Sequence, residues 1–241
     1  LVANGGTNGG DGGQIVIEER ATAAAAQFKI YGNGSLDISG RLPPGLRAGS
    51  LEGDGLVFLG AQKLAPGLNN TSTTFAGTIM DGGIVDGVGG SLIKLGRASL
   101  ELSGSNTYSG GTIVKSGTLR VTNTIGSGTG TGPVTVEGGL LGGSGVIGGA
   151  VTLGTSSDSF GTIAPSNGRR KSAALTIQGA LTFNSDSAYM WTVRINAATA
   201  DELIVNGGVT ISAGVLFSAD TVGTGNLNLH TVFTAINNTS P

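Results

Sequence analysis

The chain has no cysteine, one histidine and one tryptophan, and only 12% of its 241 residues are charged. Each shortage excludes something. Without cysteine there are no disulfides and no thiolate metal sites, which suits a chain exported unfolded. A single histidine, His230, excludes the usual multi-histidine zinc sites. The net charge is −2 and Lys and Arg are scattered, so the basic stripe of a non-specific nucleic-acid binder is missing. No apolar run approaches the ~18 residues of a membrane-spanning helix. The sequence opens without Met and without a charged-then-apolar leader, so it reads as a mature product or a fragment.

Glycine is what the chain has in excess, at 46 residues against a background of ~7%. Collagen is excluded, because glycine does not fall at every third position and proline numbers only 6. Disorder is excluded by a mean hydropathy of +0.20, since disordered segments lack the apolar content that offsets ordering entropy. Leu, Ile and Val recur in pairs spaced i, i+2, which places both side chains on one face of a strand. Examples are Ile15/Ile17, Leu36/Ile38, Val57/Leu59, Val134/Val136 and Val151/Leu153. Leu175/Ile177, Leu181/Phe183, Val193/Ile195, Leu203/Val205, Val209/Ile211 and Val215/Phe217 continue the series. Polar residues between them face water.

The corners decide the architecture. A β-sandwich has longer strands joined by hairpin turns, whereas here one to three residues with glycine separate short strands, as at 178–180. Three strands and three corners make a rung of roughly 20–25 residues, the period of a solenoid. About ten rungs at ~4.8 Å give a rod roughly 50 Å long. The expected fold is therefore all-β, a single-stranded parallel β-helix with three short strands per rung. Residues 1–29 read as an irregular N-terminal edge and 30–241 as the β-helix. Residues 18–27 carry the one helical signal; they lack an apolar stripe, so a single turn or irregular edge fits as well. A glycine-rich loop at 82–90 reads as a weak break that lets two parts of the rod shift. Residues 167–174, Asn-Gly-Arg-Arg-Lys-Ser-Ala-Ala, read as a surface loop.

The densest motif lies at residues 92–121: Leu92-Ile-Lys94-Leu-Gly96, then Leu100 and Leu102-Ser-Gly104, Asn106-Thr-Tyr108, Gly110-Gly-Thr112, Val114 and Gly117-Thr-Leu119. This segment resembles the autotransporter-associated β-strand repeat, with Ala98 where glycine is usual. Residues 56–80 resemble the rung that commonly precedes the repeat, and 138–145 and 161–165 what commonly follows. Ser166 stands where that pattern has glycine, and Arg169-Arg170-Lys171 is an insertion. Segments 201–207 and 230–235 are similar to passenger segments upstream of a translocator. The resemblance spans about residues 30–235. It implies a right-handed parallel β-helix, exported by a type V route and displayed on a Gram-negative cell surface. It implies a translocator β-barrel as partner. No stretch here has the ~10-residue lipid-facing strands of such a barrel, so the chain is expected to be passenger only. The resemblance further implies that C-terminal rungs emerge first and template the rest.

Catalytic and ligand motifs are sparse. Gly143-Ser-Gly145-Val-Ile-Gly148 matches a dinucleotide fingerprint, but no helix pattern follows to hold a pyrophosphate, so it reads as a turn between strands. A Ser-His-Asp triad would need His230, and no G-x-S-x-G elbow is present. Parallel β-helices host polysaccharide lyases and hydrolases, so paired carboxylates matter. Asp37, Asp81, Asp86, Glu101, Glu137, Asp158, Asp186 and Asp220 are dispersed, and only Glu18-Glu19, Glu52/Asp54 and Asp201-Glu202 are close in sequence. Asp201 and Glu202 are strand neighbours and are expected on opposite faces, while the spacing of Glu52 and Asp54 allows a shared face but shows no Arg or His partner. Residues 5–13 are similar to a calcium-binding repeat without the tandem copies, and read as a flexible terminus.

Residues 69–74, Asn-Asn-Thr-Ser-Thr-Thr, form a polar strand expected to ladder side-chain hydrogen bonds onto neighbouring rungs. Tyr108, Phe160, Tyr189 and Trp191 are expected in the core or as corner caps, with Tyr189 and Trp191 facing one way as a candidate sugar-stacking pair. The expectation is a non-catalytic structural stalk at the cell surface, with no cofactor, metal or catalytic residue. It would support secretion and adhesion or aggregation through a host surface, a glycan or self-association. The alternatives are a β-helical carbohydrate-active enzyme or a glycan-binding module.

Overall fold

The computed structural model describes residues 1–155, 159–166 and 171–240; Asp158 and the 167–170 part of the expected surface loop lie outside them. The protein is a parallel β-helix. Among the described residues every strand pairing is parallel except Val193–Arg194 with Thr199–Ala200, and no α-helix is present.

Three faces run along the rod. The first stacks Lys63–Pro66, Ser91–Lys94, Thr112–Val114, Val134–Val136, Val151–Leu153, Leu181–Phe183 and Val209–Ile211. The second stacks Thr73–Phe75, Ser99–Leu102, Thr118–Val121, Gly139–Gly143, Gly161–Ile163, Ser187–Arg194 and Leu216–Val222. Two eight-residue strands near the N-terminus, Ala23–Ile30 and Leu46–Gly53, serve both faces. The third face holds Gln14–Val16, Ser35–Asp37, Leu56–Phe58 and Thr78–Met80 at one end. Val146–Ile147, Ala174–Ile177, Glu202–Val205 and Ile236–Asn238 form it at the other.

Parallel register stacks like on like. On the first face the inward column is Leu46, Leu64, Leu92, Thr112, Val134, Val151 and Leu181. On the second it is Leu100, Leu119, Leu141, Ile163 and Tyr189. All are buried, and each apolar member contributes roughly 1.5–3 kcal/mol of burial. Glycine turns the corners where a side chain cannot fit. Gly143 has φ +119°, and a Cβ there would lie 1.9 Å from the Val121 carbonyl oxygen.

The third face is interrupted between Met80 and Val146, where no strand occupies it among the described residues. Asparagine side chains replace the ladder. The Asn106 Oδ1 accepts from the Ile79 amide at 2.8 Å, and its Nδ2 donates to the Gly128 carbonyl at 2.7 Å. Its carboxamide thus stands in for a peptide group between two rungs. Asn123 does likewise, accepting from the Val146 amide and donating to the carbonyls of Ile125 and Gly126. The other signature residues of this coil are equally buried. The Tyr108 hydroxyl meets Thr112 Oγ1 at 2.6 Å. Lys94 sits in an inward column, between Pro66 and Val114, and its Nζ reaches the carbonyls of Leu95, Gly96 and Ser116.

Several expectations change. Residues 18–27 hold no helix; Ala23–Ile30 is a strand, because it pairs on both sides. Residues 1–29 hold strands too, Val2–Ala3 and Gln14–Val16, stacked parallel on the next coil. The 82–90 loop does not break the rod, since Leu92 stacks directly on Leu64 across it. The carboxylate of Asp37 and the hydroxyl of Ser39 bind the amides of Ile84 and Val85, and Asp81 binds those of Gly89 and Gly90. Ile195 leaves its strand for a 3₁₀ turn, Ile195–Ala197. Rung length is uneven: Val134 to Val151 takes 17 residues and Val151 to Leu181 takes 30.

Candidate functional site

The second face carries the site. Its inward residues fix the stack, so the alternate residues are forced outward in a row. Register places Lys29 beside Glu52, Thr74 beside Glu101, and Glu101 beside Arg120; Gly53 against Phe75 sets Thr74 next to Glu52. The result is an open polar groove of about 590 Å³, bounded by Tyr31 and Glu52 at one end and Glu101 and Arg120 at the other. Hydroxyls of Ser72, Thr73, Thr74 and Ser99 line its middle.

Ion pairing organises the row. Lys29 Nζ lies 2.6 Å from Glu52 Oε1, and the Tyr31 hydroxyl donates to the same oxygen at 3.2 Å. The Lys29 hydrogen bond holds the Glu52 carboxyl below its usual range, and Glu52 raises the Lys29 ammonium in turn. Glu101 Oε1 accepts the Thr122 hydroxyl at 2.9 Å, and Oε2 lies 3.4 Å from Arg120 Nε. Glu52 and Glu101 are separated by one strand, so their backbones stand ~9.6 Å apart at ~4.8 Å per strand. A general acid needs a raised pKa, and the Lys29 contact lowers that of Glu52, which disfavours Glu52 in that role. What the groove offers is an alternation of donors and acceptors suited to a polyhydroxylated chain.

Residues 69–72 are a turn and an irregular stretch, not strand, and only Thr73–Phe75 pairs as one; their side chains still ladder onto neighbouring coils. Asn70 Oδ1 accepts from the Arg97 amide, Ser72 Oγ from the Ser99 amide, and Asn69 Nδ2 donates to Ser50 Oγ. Glu52 and Asp54 do not converge: Asp54 is exposed in the corner and accepts from the Gly32 amide. Glu19 pairs its backbone with Arg41. Asp201 is fully buried and ion-paired to Arg194 at 2.9 Å, while Glu202 keeps part of its surface exposed.

His230 is exposed in a turn at φ +65°. Gly143 ends one strand and Val146–Ile147 begins the next, with no helix after it. The 5–13 segment is tied back through Asn33, which accepts from the Gly6 amide and donates to the Gly10 carbonyl. Among the described residues no group of three or more His, Cys, Asp or Glu side chains is placed to hold a metal.

The aromatics divide. Tyr108 and Tyr189 are core, but Phe160 is 44% exposed, against expectation. Tyr189 and Trp191 make no sugar platform. Tyr189 is fully buried, donating to the Ala235 carbonyl, and Trp191 packs edge-on against Phe233 with its Nε1 on the Asp201 carbonyl. Arg120 was not singled out by sequence. Its signal was the opposite charge of Glu101, visible only once the coil offset between them is known.

No curated protein matches the chain. A family model described as the passenger-associated-transport-repeat matches residues 92–121. Those residues are the coil in which Lys94, Asn106 and Tyr108 are buried, and the match implies a secreted or cell-surface protein. The coil at 92–121 thus carries an autotransporter passenger repeat.

Proposed function

We propose that this chain is a non-catalytic stalk of an autotransporter passenger, held at a Gram-negative cell surface by the translocator β-barrel of the full-length protein. The observation that carries the reading is the unbroken register of the first two faces through the matched coil, from Leu64 to Leu92 to Thr112 and from Phe75 to Leu102 to Val121. A rod so stacked has every rung as template for the next. That geometry suits export of an unfolded chain followed by folding outside, and the absence of cysteine fits the same route. The exposed outer faces then serve adhesion or self-association. The Lys29–Glu52 pairing disfavours Glu52 as a general acid.

The test is to fuse the chain to a translocator barrel in a Gram-negative host and measure surface display by antibody and external protease. Display that resists protease and falls when an inward residue is replaced supports the stalk. Equal display by a chain whose rungs cannot stack contradicts it. Release of reducing ends from a polysaccharide panel by the purified chain would overturn the non-catalytic assignment. The polar groove favours a second reading as a glycan-binding module, tested by binding without turnover on that panel.

A further inference from the structure

Next to the groove lies a second cavity of about 410 Å³, and Arg120 lines both. The arginine is 8% exposed. Its Nε and Nη1 are buried with no hydrogen-bond acceptor among the described residues. Glu101 Oε2, 3.4 Å from Nε, is near enough for an ion pair but is not aligned as a hydrogen bond. A guanidinium left in this state is costly, and the part of it that lines the cavity is a charged donor suited to an anion.

The surroundings favour the same ligand. Ser144, Ser172 and Lys171 line the second cavity, adding two hydroxyls and a second cation. The one acid beneath it, Asp201, is already committed. Its Oδ1 takes Arg194 Nη1 and the Ala173 amide, and its Oδ2 takes the hydroxyl and amide of Ser166. Arg194 also donates to Ser166 Oγ at 2.7 Å, so this floor is charge-balanced. Among the described residues, Glu101, Arg120 and Lys171 together leave one positive charge in excess. Register places Gly142, which has no side chain, beside Arg120 in the next coil.

We infer that this cavity is an oxyanion site, and that its ligand is an acidic polysaccharide whose sulfate or carboxylate sits between Arg120 and Lys171 while neighbouring sugars lie in the adjoining groove. The groove's hydroxyl-lined length fits a chain of sugars, and its shared arginine joins that chain to the anion. The site does not depend on the stalk reading, because it is tested on the purified chain.

The experiment is calorimetric titration at low salt with a heparin-derived hexasaccharide, hexagalacturonate, neutral cellohexaose and sodium sulfate. It uses the wild type, Arg120→Gln and Lys171→Ala, with folding checked by circular dichroism. The expected result is binding of the sulfated or the uronate oligosaccharide at least tenfold tighter than the neutral one. Arg120→Gln weakens it at least tenfold and Lys171→Ala about threefold, and affinity falls steeply with salt. Lys171 is exposed, so its variant reports even where Arg120→Gln fails to fold. Equal affinity for the neutral chain, or unchanged binding in the variants, overturns the proposal. Arg120-dependent binding of sodium sulfate with no oligosaccharide binding overturns the polysaccharide as ligand and keeps the oxyanion.

Discussion

Replacing Asn106 with alanine removes a buried carboxamide that joins three coils. The side chain is 2% exposed, and its two bonds, to the Ile79 amide and the Gly128 carbonyl, are both short. Alanine leaves one backbone donor and one backbone acceptor unpaired, and each buried orphan costs about 1–3 kcal/mol. The sum is about 2–6 kcal/mol, centred near 4. At roughly 2–4 °C per kcal/mol for a chain of this size, the midpoint of thermal unfolding falls by roughly 8–16 °C. Stacked repeats need not unfold as one unit, so a local probe belongs beside the global one: hydrogen exchange at the Ile79 amide. Asn106→Asp separates the two halves of the argument, because a carboxylate still accepts from Ile79 but cannot donate to Gly128. It should be at least as damaging as alanine, since it also buries a charge. Asn106→Ala unfolding within ~0.5 kcal/mol of wild type, with the Ile79 amide still protected, refutes the view that this side chain replaces a strand.

Three further substitutions probe the rod. Leu119→Asp puts an unpaired charge between Leu100 and Leu141 in the inward column, and denaturant titration should show a loss of several kcal/mol, of order 3–5; an unchanged midpoint contradicts the inward assignment. Gly143→Ala places a Cβ 1.9 Å from the Val121 carbonyl oxygen at φ +119°, whereas at Gly89 (φ +91°) nothing lies within 4 Å. Calorimetry should therefore find Gly143→Ala clearly worse than Gly89→Ala, which carries only the backbone strain of about 1–2 kcal/mol. Burial pushes the Lys94 ammonium down to about 8 from 10.5. Between those values the unfolded chain binds the proton more, so wild-type stability should rise with pH across that window, and Lys94→Met should lack the rise in pH-dependent unfolding.

The alternating pairs made the rungs legible, because period-two burial leaves its mark residue by residue. Leu175/Ile177 and Leu203/Val205 are strands that stack on each other as their spacing implies. Register between rungs was not legible, since coils of 17 and 30 residues coexist. That is why the outward row from Lys29 to Arg120 could not be assembled from sequence. The interrupted third face was hidden for a related reason: Asn106 and Asn123 look like turn residues, and their role as peptide surrogates depends on what lies one coil away. Residues 18–27 were ambiguous because alanine favours helix by propensity, and only pairing on both sides turns Ala23–Ile30 into a strand. Phe160 reads as core or corner cap on hydrophobicity alone, and a single exposed aromatic carries no pattern to correct that.

Stacking of successive coils is tested most directly by a disulfide across them, since the chain has no cysteine to interfere. Ser99 and Thr118 face outward and pair directly in parallel register, a spacing of ~4.8 Å between backbones that suits a disulfide. The account predicts that Ser99→Cys with Thr118→Cys oxidises to a single intramolecular crosslink in a folded monomer, while Ser99→Cys with Leu140→Cys, two coils apart, does not. Crosslinking of the distant pair, or none at the adjacent pair in a folded chain, contradicts it.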